Sequence, residues 1–330
     1  MTFLSIPAGH TVTLPLPGTD YQAAHVFEKR QIDAINAALG AGRPLLIRGE
    51  PGIGKSQLAR AAAKVLGDGW AYLPFVADAK TESHDLLWRF DAVARLADAQ
   101  ARSGDSQGQG MAGQTLPIGR YLTPGVLWWA FDWEDASAQA LCAQVPHPPQ
   151  PDGGNAERGC VVLIDEIDKA DTDVPNGLLE ALGIGQFSVR GRTEPICVNG
   201  KPLLVIITTN EERTLPDPFL RRCLVLHLAL PDDEEKLTQH FVTIGQAHFD
   251  GKVADGIFKE AAQLVVAQRK KAASHHWRPL PGQAEYIDLL RSVVTQAGDD
   301  RGRQSELLHT VARYVLAKDP VAAHQWQSLP

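Results

Sequence analysis

Residues 49–56 read Gly-Glu-Pro-Gly-Ile-Gly-Lys-Ser, a complete GxxxxGK[ST] pattern. It follows the aliphatic run Leu45-Leu46-Ile47 and opens a helical pattern, the strand-to-helix context in which such a loop cradles phosphate. Gly49, Glu50, Pro51, Gly52, Ile53 and Gly54 form the turn. Its glycines let backbone N–H groups curl around an anion, and the helix N-terminus adds partial positive charge. Lys55 has the reach for the β- and γ-phosphates of ATP, and the Ser56 hydroxyl suits Mg²⁺.

A second element is the aliphatic run Val161 to Ile164, which ends in Asp165-Glu166. Asp165 is expected to hold Mg²⁺ through its water shell, and Glu166 to polarise an attacking water as general base. Acids often follow buried strands without chemical purpose; a phosphate loop earlier in the chain is what makes this pair its expected partner. Asp168 we read as a helix or turn cap. A third run, Leu203 to Thr209, ends at Asn210, whose amide either holds the lytic water or the γ-phosphate or serves as a plain turn residue. The fourth, Asp217-Pro218-Phe219-Leu220-Arg221-Arg222, precedes the last strand. Paired arginines at a helix end often only complement the C-terminal dipole. An arginine reaching a neighbouring subunit's γ-phosphate instead raises rates by about 10³–10⁵. We expect Arg222 in that role, with Arg221 as helper or alternate.

These residues need a scaffold, and the rest of the chain supplies one. Its 330 residues suffice for one large or two modest domains. Short aliphatic or aromatic runs lie at 45–48, 70–76, 160–164, 203–208 and 223–228, and most are continuously apolar, as expected of strands covered on both faces. Helical patterns at 56–66, 85–100 and 174–182 lie between them, so the fold class is an α/β sheet. A helix over 27–39 precedes it. After Pro231 the pattern is purely helical, over 232–249, 257–271, 282–296 and 304–318. We therefore divide the chain into an irregular N-terminal arm (1–25), an α/β nucleotide-binding domain (26–231) and a smaller helical domain (232–330). Gly-, Ser- and Pro-rich stretches near 102–120 and 144–159 read as surface loops, with Trp-rich packing between them.

The formal charge of −7 argues against general nucleic-acid or anionic-membrane binding. Cys142, Cys160, Cys197 and Cys223 contain no CxxC pair and read as buried reduced thiols. The start carries no basic region before an apolar run, and no stretch approaches the roughly 20 apolar residues that cross a bilayer. The cytoplasm is the expected address. His275-His276 reads as a loop pair, His240 and His248 as too far apart to chelate, and Arg269-Lys270-Lys271 as a complement to a helix C-terminus.

The order of these elements resembles the AAA+ superfamily of P-loop NTPases and, more narrowly, its MoxR-type ATPases. The narrower likeness rests on Val161–Ala170 (VVLIDEIDKA), Asn176–Leu182 (NGLLEAL), Thr208–Cys223 (TTNEERTLPDPFLRRC) and Tyr121–Phe131 (YLTPGVLWWAF). The resemblance implies a five-stranded parallel sheet of order 5-1-4-3-2, a C-terminal helical lid and a homo-hexameric ring. It also implies an insertion within 102–126 and a hairpin at 186–198, both facing a central pore or axial surface; from the residues alone that hairpin is equally a plain β excursion. The implied activity is ATP hydrolysis with Mg²⁺, driving the remodelling or cofactor maturation of a protein client. A partner with a von Willebrand factor A domain belongs to the same picture, as a separate chain, because this one has no DxSxS pattern. Such lids often offer an arginine at the start of a late helix; here Gln283 stands there, with Arg278 upstream as a substitute. Two rival readings are a nucleic-acid-stimulated motor of restriction-system type and an ATP-gated switch with little turnover.

Overall fold

The computed structural model describes residues 3–15, 22–104, 116–150 and 152–327. Elements in chain order are strands β1 (Thr11–Pro15) and β2 (Gln22–Val26), helix α1 (Lys29–Ala41), β3 (Leu45–Gly49), α2 (Lys55–Leu66), β4 (Trp70–Val76), β5 (Trp88–Phe90) and α3 (Ala92–Gly104). Then come β6 (Leu122–Pro124), α4 (Val126–Phe131), α5 (Trp133–Ala143), β7 (Gly159–Asp165), α6 (Asp173–Ile184), β8 (Gln186–Phe187), β9 (Ile196–Cys197) and β10 (Leu203–Thr209). The last are α7 (Asp217–Leu220), β11 (Leu224–Leu228), α8 (Glu234–Phe249), α9 (Asp255–Ser274), α10 (Gln283–Ala297), α11 (Arg301–Val315) and α12 (Pro320–Gln327).

The central sheet is parallel and runs β11-β3-β10-β7-β4, the implied 5-1-4-3-2 order. Val162 of β7 sits between Leu73 of β4 and Val205 of β10 in register. Residues 160–164 and 204–209 are buried without interruption, which is why these strands read as unbroken apolar runs.

The chain divides into two compact units. One comprises Met1–Ser5, Asp33–Ile47 and Ala62–Leu226; the other comprises Ile6–Ile32, Arg48–Ala61 and His227–Pro330. In the first unit α4 is almost wholly enclosed. Leu127, Trp128, Trp129, Ala130 and Phe131 are all buried, which accounts for the aromatic density in that stretch. In the second unit α8–α11 pack around Phe241 and Tyr286, whose rings stack with centroids 5.2 Å apart.

Three expectations are corrected. The arm is not irregular: β1 pairs antiparallel with β2, and alternate burial of Val12 and Leu14 is a strand period that the nearby prolines obscured. Residues 85–100 are not one helix. A capping box between Glu82 and Asp85 starts a 3-10 turn, Trp88–Phe90 pairs with Leu122–Pro124, and α3 begins only at Ala92. The last pattern starts earlier, at Arg301, where the Asp300 side chain accepts from Arg303 N–H, and a further helix, α12, follows it. Of the expected insertion, residues 105–115 lie outside the described residues.

Gly245 on α8 shows how tightly the helical core closes. A Cβ there would lie 2.5 Å from Tyr286 Oη and 2.9 Å from Phe258 Cδ1. In an open helix Gly→Ala gains about 1 kcal/mol. Here the ring is pinned by stacking and by its hydrogen bond to Phe258 O, and overpacking costs about 1–3 kcal/mol. Gly245→Ala is expected to lower the urea midpoint followed by circular dichroism; a raised midpoint would show that the ring yields freely.

Candidate functional site

Within the second unit, the loop between β3 and α2 closes around the Lys55 ammonium. Lys55 is 7% exposed, and its Nζ donates to Gly49 O (2.7 Å) and Glu50 O (2.9 Å). Gly52 holds φ +77°, and a Cβ on it would lie 2.7 Å from Ala284 Cβ, so both conformation and space demand glycine. The Glu50 carboxylate meets Arg269 of α9, with Nη2 at 2.8 Å from each oxygen, and Arg269 Nη1 donates to Pro281 O at 3.0 Å. Ser56, half-buried, is the second residue of α2. A tight turn with positive φ at Gly49, Gly52 and Gly54, leading into a helix of 12 residues, fits a phosphate chain.

Beside this loop lies a pocket whose lining includes His25, Gln31, Ile53, Gln57, His240 and Gln283. Gln283 is only 8% exposed, and its Oε1 sits 3.3 Å from His240 Nε2. Arg278, the upstream alternative, is exposed. Burial pushes the His240 imidazole below its ordinary pKa, against the opposing hydrogen bond from Gln283. His25 is pushed down to about 4 by burial, with its 3.1 Å bond to Gln31 working the other way. Gln31 Oε1 also accepts Glu28 N–H at 3.0 Å, so this amide fixes the pocket wall. Neither His25 nor Gln31 stood out in the sequence; both lie before the motif that draws attention.

In the first unit, β7 and β10 end side by side and set up the acids. Thr208, fully buried, donates through Oγ1 to Asp165 Oδ1 at 2.5 Å and accepts Glu166 N–H at 3.0 Å. One hydroxyl therefore locks both neighbours. Glu166 has φ +57°, which turns its side chain out of the strand direction. Its Oε2 meets Lys169 Nζ at 2.5 Å, and its Oε1 lies 3.5 Å from Asn210 Nδ2. Asp168 is 3% exposed and accepts Asn210 N–H (3.4 Å) and Glu212 N–H (2.9 Å), the turn-capping part expected of it. Asn210 is thus both a turn residue and a donor aimed at Glu166. The sequence reading missed Thr208 and Lys169; two threonines closing an aliphatic strand were the available signal.

Phe219, fully buried, anchors the short helix α7, and Arg221 and Arg222 follow it with exposed side chains.

The family model of the AAA domain (dynein-related subfamily) matches residues 44–223. This chain belongs to that family. The matched AAA segment contains the loop, both acids, Asn210 and the arginine pair. Among solved structures, the chain is similar to the RuvB P216G mutant of Thermotoga maritima, with 17% identity, TM-score 0.46, and 86% of this chain and 68% of that one covered. It is also similar to a putative ATPase from Cytophaga hutchinsonii, with 17% identity, TM-score 0.35, and 86% and 79% covered. No curated protein matches.

Other features of the AAA chain resolve plainly. The β8–β9 hairpin is docked on its own unit: Arg192 makes a two-pronged bond to Asp135 (2.7 and 2.8 Å) and stands over the Trp128 ring. Arg190 lies over the Phe90 ring, and Trp88 Nε1 donates to Ser188 O at 3.1 Å. Of the cysteines, Cys160 and Cys223 are buried and burial pushes both thiols up to about 12. Cys142 and Cys197, contrary to expectation, are exposed, since α5 and the two-residue strand β9 each cover only one face. The basic run does more than face a dipole: Arg269 binds Glu50, Lys270 binds Glu234, and Lys271 lies over Trp277. His275 stacks on Trp277, and no cluster of metal-ligating side chains occurs among the described residues. No described helix is long and apolar enough to cross a membrane.

The buried histidines give a pH dependence. Burial lowers His25 and His248 from 6.5 to about 4, so between those values the unfolded chain takes up protons that the folded chain refuses. Their contribution is complete above pH 6.5, is lost as pH falls toward 4, and is flat below it. At about 1.4 kcal/mol per unit, each is worth a few kcal/mol over the window. His25→Asn should shrink the difference between urea midpoints at pH 7 and pH 4.5; an unchanged difference would show that His25 is protonated in the fold.

Proposed function

We propose that this AAA protein is a MoxR-type ATPase that works as a homo-hexameric ring and remodels or matures a protein client, with a separate von Willebrand factor A domain protein as partner. The observation that carries this reading is Glu166. It is a carboxylate at the end of β7, directly after an acid locked by Thr208, with the Asn210 amide beside it. Strand order supports the grouping, because β3, which leads into the phosphate loop, is followed in the sheet by β10 and β7.

In this reading residues Gly49 to Ser56 bind the triphosphate, with Lys55 neutralising the β- and γ-oxygens and Gln283 bordering the nucleotide. Mg²⁺, when bound, supplies the charge that offsets the phosphate oxygens, and Ser56 and Asp165 are the residues that would hold it. Glu166 accepts the proton of the attacking water. Asn210 holds that water in line. Arg222, with Arg221 beside it, comes from the neighbouring copy and offsets the charge that builds in the transition state. The net charge of −7 suits a protein client better than nucleic acid, and the cytoplasm is the address that goes with this reading.

Steady-state ATPase and fluorescent-nucleotide binding test the assignment together. Glu166→Gln should bind ATP normally and turn over at least ~100-fold more slowly, the usual weight of a general base. Normal turnover removes Glu166 from the mechanism. Lys55→Ala should lose binding. Arg222→Ala should bind but not hydrolyse, and mixing it with Lys55→Ala should restore part of the activity, since a Lys55→Ala copy still lends its Arg222 to the intact loop of an Arg222→Ala neighbour. Failure of the mixture would place the arginine in its own subunit's chemistry or outside it. Turnover raised by DNA or RNA would favour the motor reading instead.

A further inference from the structure

Among the described residues, Lys169 is the cation paired with the proposed base, and the sequence reading assigned it no role of its own. Its Nζ lies 2.5 Å from Glu166 Oε2, and the opposite oxygen, Oε1, faces Asn210 Nδ2 at 3.5 Å. The backbone between the two residues is rigid. Lys169 N–H donates to Glu166 O at 2.9 Å across a 3-10 turn, Ile167 is fully buried, and Asp168 is pinned by two backbone N–H groups. A carboxylate on a surface strand end ordinarily swings among rotamers. Here one oxygen is tethered, so the other has a single direction. We propose that Lys169 is a positioning residue: it holds the Glu166 carboxylate by Oε2 so that Oε1 is presented beside Asn210 to receive the proton of the attacking water.

This rests on the reading of Glu166 as base. The pair is open to solvent, with side chains 40% and 31% exposed, so its share of folding stability is small. A large kinetic effect of removing Lys169 would therefore not be an effect on stability. Catalysis is sensitive to orientation in a way folding is not, and misplacing a reacting group by about 1 Å costs up to ~100-fold.

The experiment compares Lys169→Met, Lys169→Arg, Glu166→Gln and the double variant Lys169→Met/Glu166→Gln, in steady state and in single turnover with radiolabelled ATP. Lys169→Met should lower kcat by about 10-fold or more and leave the KM for ATP within about 2-fold. Lys169→Arg should recover most of the loss, because a guanidinium also grips one carboxylate oxygen. In the Glu166→Gln background Lys169→Met should cost nothing further, since a residue that acts only through another is silent once that other is gone. Wild-type kcat for Lys169→Met overturns the proposal while leaving the base intact. A full, additive loss in the Glu166→Gln background also overturns it, as does a loss confined to KM. Normal turnover by Glu166→Gln alone sinks the base and the proposal together.

Discussion

A nearly buried ammonium must be given acceptors or it cannot stay charged. Lys55 meets that demand with two carbonyls of its own loop, those of Gly49 and Glu50. Turning consecutive peptide groups inward bends the chain through conformations that side chains resist, and this is why glycines stand where they do. The Gly49 position illustrates how little slack there is: a Cβ there would lie 2.3 Å from Leu228 O. Loop shape, lysine placement and the start of α2 are thus one constraint seen from three sides. The same inward turn leaves the N–H groups of the loop and of the first turn of α2 pointing where an anion would be held.

The acid pair obeys a different rule. Strands buried on both faces have no room for polar side chains until they end, so β7 and β10 release theirs together at one edge of the sheet. Thr208 is the exception, a hydroxyl one residue before the end of β10. It is tolerated because both its hydrogen-bonding capacities are used, one on Asp165 and one on the Glu166 N–H. That double use holds two neighbouring acids in different orientations. Asp165 is drawn toward the strand by a hydrogen bond to one oxygen, while Glu166 turns away at positive φ and meets Lys169 and Asn210 instead. Identical chemistry at adjacent positions is separated by a single hydroxyl.

Much of this was legible in the residues. Largely apolar runs announced the five strands, most clearly β7, where burial on both faces leaves no room for polar side chains before the strand end, and the loop pattern announced its own geometry through its glycines. The central sheet order came from resemblance, since periodicity says nothing about which strands pair. What was missed has a common cause. The β1–β2 hairpin and the broken 85–100 segment depend on pairings between residues distant in sequence, as Trp88 with Pro124. Lys169, Arg269, His25 and Gln31 are ordinary residues by type, and only their partners in the fold give them meaning, whether near in the chain, as Glu166 for Lys169, or far, as Glu50 for Arg269. Cys142 and Cys197 were expected inside on the average behaviour of thiols; their elements have one exposed face, and average behaviour cannot tell which face a residue takes.

The departure at Gln283 has an electrostatic reading. An arginine at that place would bring positive charge to the loop from the helical segment. Gln283 brings none, and its carbonyl oxygen is engaged with His240. The cation that the helices do bring, Arg269, is neutralised on arrival by both oxygens of Glu50, and its remaining reach is used on Pro281 O, just before α10. The guanidinium therefore joins the loop to the approach of α10 mechanically, as a planar fork suited to such a carboxylate, without adding net charge to the phosphate cradle. Lys55 and the α2 N-terminus bring positive charge to the loop, while α10 contributes shape: Ala284 against Gly52, and Gln283 against Gly54. Among the described residues, the loop and the helices of this unit thus meet through this packing and the Glu50–Arg269 pair, and Gln283 adds no charge to either.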